Sequence, residues 1–259
     1  MDSGWLVEDG FSLRKLPAGQ QVPVILKTEW AFRNRLSFPS AEEQFKMYIE
    51  CSSLGSWAPL IFSLFDFSSP PGREESLLAT DLQKFRDFNG FPLWKNFPLL
   101  FESQIKAFLQ SSYFRKCWVL LPSLRAGTEL KAVQVAVMKI MEELNARRVP
   151  FDRYLKIGVG IDNPFSLRNI QGLLGGDFLI FDFDSIFSHL LGVAPRSLQL
   201  PEFLELIKGE VETILRWLEA IPFCEKWCGF ISFLPPSKWG SLGELPWEAY
   251  FQRVFPENE

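Results

Sequence analysis

The residues from Tyr154 to Val193 run YLKIGVGIDNPFSLRNIQGLLGGDFLIFDFDSIFSHLLGV, and this stretch restricts the fold more than any other in the chain. Ile157 to Ile161 is an apolar run of strand length. Pro164 ends it, and Phe165 to Leu174 carries apolar residues at helical spacing until Gly175 and Gly176 stop the helix. A second apolar run, Phe178 to Phe183, follows at once. Two buried strands joined through one short helix make a βαβ unit, and that crossover requires a parallel sheet. Both strands end in acids, Asp162 after the first and Asp182 and Asp184 after the second. In parallel α/β folds the C-terminal strand ends form the rim where ligands bind, so these three are candidate site residues.

A chain of 259 residues fits one large α/β barrel as readily as two small domains. With 47% hydrophobic residues it can bury a large core, and 26 Phe and 9 Trp against 4 Tyr make that core unusually aromatic. The 27 basic and 31 acidic residues leave a net charge of −4 with no basic block, which argues against nucleic acid as the main partner. The single imidazole, His189, and four thiols, Cys51, Cys117, Cys224 and Cys228, limit metal chemistry. Cys224 and Cys228 are spaced C-x-x-x-C with no second pair and no nearby His, which reads as reduced thiols in or near the core. There is no N-terminal signal-like apolar segment and no run of eighteen apolar residues, so neither a secretory signal nor a membrane span is expected, and the expected location is cytoplasmic.

Taken in order, residues 1–20 read as an irregular or strand-like lead-in, and Val22 to Leu26 as a strand followed by Lys27, Thr28 and Glu29. In FPSAEEQF, Ser40 with Glu43 makes a capping box, after which Phe45, Tyr48 and Ile49 mark a buried helical face. Pro59 to Asp66 reads as a strand, SSPPGREES as a loop, and 81–95 as a helix with a short extended piece. Asn96 to Ser112 reads as a helix burying Leu99, Leu100, Ile105, Phe108 and Leu109; Cys117 to Pro122 is a strand, and Gly127 to Arg147 a long amphipathic helix. Leu200 to Ile221 is a further helix, with Leu206 and Ile214 among its inward residues, and Lys226 to Phe233 a strand. Pro246 to Phe255 is expected to add only one more short helix, so a last strand and helix read as missing, shortened or replaced.

The order strand, acid, x, Pro, helix, Gly-Asp-Phe, strand, acid-rich turn, helix, Leu-Gly resembles the C-terminal PEP-binding barrel of bacterial phosphotransferase-system enzyme I, related to PEP synthase and pyruvate phosphate dikinase. In that family the two turns read roughly EIPS and GTNDL, and here DNPF and DFDSI. Lys27-Thr28-Glu29 matches the family's RTE turn, FPSAEEQF its PSEEEQF, PLIFSLFD its PVIVRTLD, and KWCGFISF its KWVGMCGE. The resemblance runs from about Val22 to Phe233 and leaves 234–259 as a divergent tail. It implies a single TIM-like (β/α)8 barrel, incomplete or modified at its C-terminal end. It places Lys27 at the end of the first barrel strand and finds no phosphohistidine domain.

What the resemblance implies about chemistry is mostly loss. Phosphate transfer from PEP requires a divalent cation on hard oxygen ligands, several arginines and a proton donor for the enolate carbon. The family's two metal-ligand positions fall on Asp162 and Ser185, and its proton-donating Cys on Ile231, with the following Glu on Phe233. Its phosphate-binding arginines fall on Lys27, Ser63, Asn89, Pro92 and Pro195, and Arg196 stands one residue out of register. Lysine does not copy the planar guanidinium fork, and neutral groups do not replace it at all.

The candidate remnant rim is therefore Lys27, Glu29, Asp66, Asp162, Asp182, Asp184, Ser185, His189 and Arg196. Ser185 and His189 at i, i+4 beside Asp184 form a faint nucleophile-and-base pattern, against the plainer reading of an ordinary helix histidine. Trp227, Trp239 and Trp247 read as core and lid. Three readings follow. The preferred one is a catalytically inactive barrel acting through a protein partner, with no cofactor; the resemblance adds a possible homodimer. The others are a metal-dependent enzyme holding Mg²⁺ on Asp162, Asp182 and Asp184, and a small-molecule sensor with a neutralised pocket.

Overall fold

The computed structural model describes residues 2–7, 9–16, 21–32, 37–56, 58–66, 89–193, 201–219, 221–222, 226–232, 237, 241 and 244–253. Eight strands close a parallel barrel in the order β1 to β8: Asp2–Val7, Val24–Lys27, Leu60–Ser63, Trp118–Leu121, Lys156–Ile161, Phe178–Asp182, Trp227–Ser232 and Ala249–Arg253. Every neighbouring pair is parallel, and β8 completes the ring by pairing with both β7 and β1. Around it, in chain order, lie α1 (Gly10–Leu13), α2 (Ala41–Ser53), α3 (Gly90–Asn96), α4 (Pro98–Phe114), α5 (Gly127–Ala146), α6 (Pro164–Arg168), α7 (Ile170–Leu173), α8 (Phe183–Leu191) and α9 (Pro201–Leu218). This is the TIM-like α/β barrel expected from the sequence.

Strand alternation sorts the apolar side chains into two cores. Leu6, Ile25, Ile61, Leu120, Phe178, Ile180, Ile231, Ala249 and Phe251 fill the lumen. Val24, Leu26, Phe62, Val119, Val159, Phe181 and Phe230, on the opposite face of the same strands, meet the helices. The strands are therefore apolar on both faces, as a parallel sheet covered on both sides requires. At the N-terminal end of the lumen Trp118 and Trp227 meet edge to face at 5.3 Å, and the Lys156 ammonium lies 4.5 Å over the Trp118 ring. Room for this aromatic plug comes from Gly158, where a Cβ would stand 2.4 Å from the Phe178 ring.

Several expectations are corrected. In place of the short helix expected over 246–255, Ala249–Arg253 is β8, so the last strand is present and the barrel is closed; residues 254–255 lie outside the described residues. The lead-in supplies a full barrel strand, Asp2–Val7, which makes Val24–Lys27 the second strand rather than the first. The helix placed from Asn96 divides at Phe97 into α3 and α4, because Pro98 clashes with a helical conformation at the residue before it. The helix from Phe165 to Leu174 likewise divides at Asn169. Leu99, expected inside, is 76% exposed in the first turn of α4, and Leu206 is 53% exposed on α9. The capping box of α2 is present as read, with the Ser40 hydroxyl accepting from the Glu43 amide.

Among the described residues no helix is long and apolar enough to cross a membrane. Cys51, Cys117 and Cys228 are buried free thiols, each pushed up to about 12 chiefly by burial; Cys224 and Trp239 lie outside the described residues. Trp247 packs against Phe181, Phe183 and Phe230 as core. A Gly158→Ala substitution overpacks the lumen against Phe178 and is expected to lower unfolding free energy by about 1–3 kcal/mol in urea denaturation; an unchanged midpoint would contradict this account of the plug.

Candidate functional site

The C-terminal strand ends carry the polar residues of the mouth, and their hydrogen bonds decide what the mouth offers to a ligand. Asp66, three residues past β3, is 1% exposed. Its Oδ1 accepts from the Gly90 amide at 2.8 Å and its Oδ2 from the Ser123 hydroxyl at 2.7 Å. Asp162, directly after β5, is half-buried; its Oδ2 accepts from the Ser123 amide at 2.8 Å and lies 3.2 Å from the Ser123 hydroxyl. The Asn163 side-chain Nδ2 donates to Asp162 Oδ1 at 2.8 Å, while Oδ1 of the same Asn163 side chain caps α6 by accepting from the Phe165 and Ser166 amides. Ser123 thus sits between two carboxyl groups brought together from different strands.

Two backbone features hold this cluster. Ser123 has φ 55°, in the left-handed region that a residue with a Cβ occupies at a cost of about 1–3 kcal/mol. Gly90, at φ 56°, packs so closely that a Cβ there would stand 2.3 Å from the Ser123 carbonyl oxygen. Glycine is required at that approach, and its amide then reaches Asp66.

The remaining acids do not join the cluster as ligands. Asp182 caps α8, its Oδ1 accepting from the Ser185 amide at 3.0 Å. Asp184 is fully buried, with the Ser232 hydroxyl 3.2 Å from its Oδ1. Among the described residues no three His, Cys, Asp or Glu side chains are grouped closely enough to hold a metal ion. The Asp162, Asp182 and Asp184 set considered for Mg²⁺ is therefore not assembled in this structure. His189 Nδ1 lies 2.7 Å from the Ser185 carbonyl oxygen, one turn back on the same helix. Arg196 lies outside the described residues.

At the positions where the resemblance places phosphate-binding arginines, Lys27 is half-buried at the end of β2, followed by half-buried Glu29, which opens a 3-10 turn. Ser63 is buried at the end of β3, Asn89 accepts from Arg125 at 3.0 Å, and Pro92 lies inside α3. Ile231, at the position of the family's proton donor, is 4% exposed within the lumen core. Sequence reading found the acids but not Ser123, Gly90, Asn163 or Arg125. Ser123 is 57 residues from Asp66 and 39 from Asp162, and no local pattern announces it.

Burial pushes the Asp162 carboxyl up to about 6; the nearby Asp66 and Asp182 charges add to this, and the donors from Ser123 and Asn163 oppose it. The folded chain therefore holds a proton on Asp162 up to about pH 6, whereas an ordinary Asp releases it near 3.8. The associated stability is fully present below the lower value and is lost as pH rises through the upper one. Its size is at most on the order of 3 kcal/mol, at about 1.4 kcal/mol per unit. Asp162→Asn should flatten the fall in unfolding free energy between pH 4 and pH 7 relative to the wild type; parallel profiles would contradict the assignment.

The PEP-binding domain model of PEP-utilising enzymes matches residues 19–175. The phosphoenolpyruvate-protein phosphotransferase of Buchnera aphidicola subsp. Schizaphis graminum is 26% identical over 166 residues, 62% of this chain and 28% of that protein. Multiphosphoryl transfer protein 1 of Escherichia coli K12 is 20% identical over 220 residues, 82% of this chain and 26% of that protein. The chain thus spans little more than a quarter of the length of these curated relatives. A citrate lyase structure from Burkholderia xenovorans LB400, 12% identical, superposes with a TM-score of 0.58 over 98% of this chain and 73% of its own, a likeness of fold alone. With more than half of its length matched and its closed parallel barrel, this chain belongs to the family of PEP-utilising enzymes, through their PEP-binding domain.

Proposed function

We propose that this barrel is a non-catalytic member of its family that acts as a protein-interaction or regulatory module. The observation that carries this reading is that the mouth's carboxyl groups are turned onto the chain's own donors. Asp66 is bonded to Gly90 and Ser123, Asp162 to Ser123 and Asn163, and Asp182 to the start of α8. A cation recruiting Asp162 would compete with the Ser123 and Asn163 donors already seated on its two oxygens.

The cationic side of the mouth points the same way. A doubly charged phosphate needs several bidentate donors in a dry pocket. The corresponding positions described here hold one lysine, a buried serine, an asparagine and a proline inside a helix. Ile231, packed with Ile180 and Phe251 in the lumen, has no proton to give to an enolate carbon. On the outer surface Tyr113 and Phe114 stay 55% and 61% exposed at the end of α4, with Phe45 edge-on to Phe114 at 5.9 Å. Such an aromatic surface suits a protein partner, a second copy of the chain included.

Thermal unfolding with PEP and Mg²⁺ tests this reading. A ligand at a hundred times its dissociation constant stabilises by about 2.7 kcal/mol, or roughly 5 °C or more in a chain of this size. The expected result is a Tm unchanged by millimolar PEP with Mg²⁺; a rise of that size would overturn the proposal.

A further inference from the structure

Two stretches singled out in the sequence, Lys27-Thr28-Glu29 and FPSAEEQF, lie apart in the chain, yet they meet Gln104 of α4 in one buried polar chain. Gln104 Nε2 donates to the Thr28 hydroxyl at 2.9 Å and to the Tyr48 hydroxyl at 3.0 Å. Its Oε1 accepts from the Phe65 amide at 2.9 Å. The Thr28 hydroxyl donates to the Ser63 carbonyl at 2.8 Å, Tyr48 donates to Gln44 at 3.0 Å, and Gln44 donates to the Pro39 carbonyl at 2.9 Å. Thr28, Gln44, Tyr48 and Gln104 are each no more than 1% exposed. Both hydrogens of the Gln104 amide are used, which fixes its orientation and the direction of every bond after it.

The chain continues into the mouth. The Phe65 carbonyl accepts from the Trp94 indole at 3.1 Å, which seats α3. The next residue, Asp66, accepts from the first residue of α3, Gly90, and from Ser123. Ser123 in turn meets Asp162. The ends of β2, β3, β4 and β5 are thus tied in one hydrogen-bonded path, and its branching point is a side chain on an outer helix.

We infer that Gln104 is the positioning residue of the mouth, setting where the Asp66 carboxylate stands and, through it, where Ser123 and Asp162 stand. The inference depends on this bonding path alone and holds whether or not the barrel is catalytic.

The test uses the full chain, with ¹⁵N-resolved hydrogen exchange on the wild type, Gln104→Leu and Gln104→Glu. In Gln104→Leu the protection of the Trp94 indole and of the Gly90 and Ser123 amides should fall about tenfold, the effect of losing one or two buried bonds, while Val159 and Ile180 in β5 and β6 stay unchanged. Gln104→Glu keeps the acceptor for Phe65 but, when ionised, has no donor for Thr28 and Tyr48. It should show the same loss at pH 8 and partial recovery at pH 5, where a protonated carboxyl donates again; a role in packing alone predicts no such recovery. Should Gln104→Leu fail to fold, Tyr48→Phe, which removes the bonds of the Tyr48 hydroxyl to Gln104 and Gln44 and leaves those of Gln104 to Thr28 and Phe65, is expected to give a smaller loss confined to the same three groups. A uniform fall across all amides, or unchanged Gly90 and Ser123 in a folded variant, would overturn the inference.

Discussion

A carboxyl group withdrawn from water must meet donors or a cation, and at the mouth of this barrel it meets donors made by the chain itself. Ser123 supplies two of them, an amide to Asp162 and a hydroxyl to Asp66, from a backbone in the left-handed region. That conformation is unfavourable on its own and persists because Gly90 leaves room for it and both carboxyls reward it. Asp66, Ser123 and Asp162 come from the ends of three consecutive strands, so the cluster exists only because β3, β4 and β5 lie side by side in register.

The register depends in turn on the lumen. Ile25, Ile61, Leu120, Ile180, Ile231 and Phe251 pack across it, and the Trp118, Trp227 and Phe178 rings close its N-terminal end. A lumen so filled leaves chemistry no place except the C-terminal rim, the usual site in barrels of this kind. Ile231 extends the apolar filling upward, toward the level of Asp182, its register partner on β6, so interior packing and polar mouth are continuous.

The sequence made the barrel legible because buried parallel strands are apolar on both faces and the βαβ unit from Lys156 to Leu191 is sharply punctuated by Pro164, Gly175 and Gly176. It made β8 illegible because AYFQR is short and half polar, and it gains its place only by pairing with β7 and β1 at once. Leu99 fits the apolar stripe of α4, but in the first turn beside Pro98 it stands out from the described residues. The acids of the rim were visible as strand-end residues. Their partners were not, since Ser123, Gly90 and Gln104 acquire meaning from neighbours 24 to 76 residues away that only barrel closure brings together. Cys51, Cys117 and Cys228 are buried, and His189 meets a backbone carbonyl of its own helix.

The central claim is that the acids of the mouth are committed to internal bonds and not displayed for a metal. The most direct measurement is an anomalous-difference map from crystals soaked in Mn²⁺ with PEP. The account predicts no peak at Asp66, Asp162 or Asp182 and an intact bond from the Ser123 amide to Asp162. A Mn²⁺ ion coordinated by an Asp162 oxygen would contradict it.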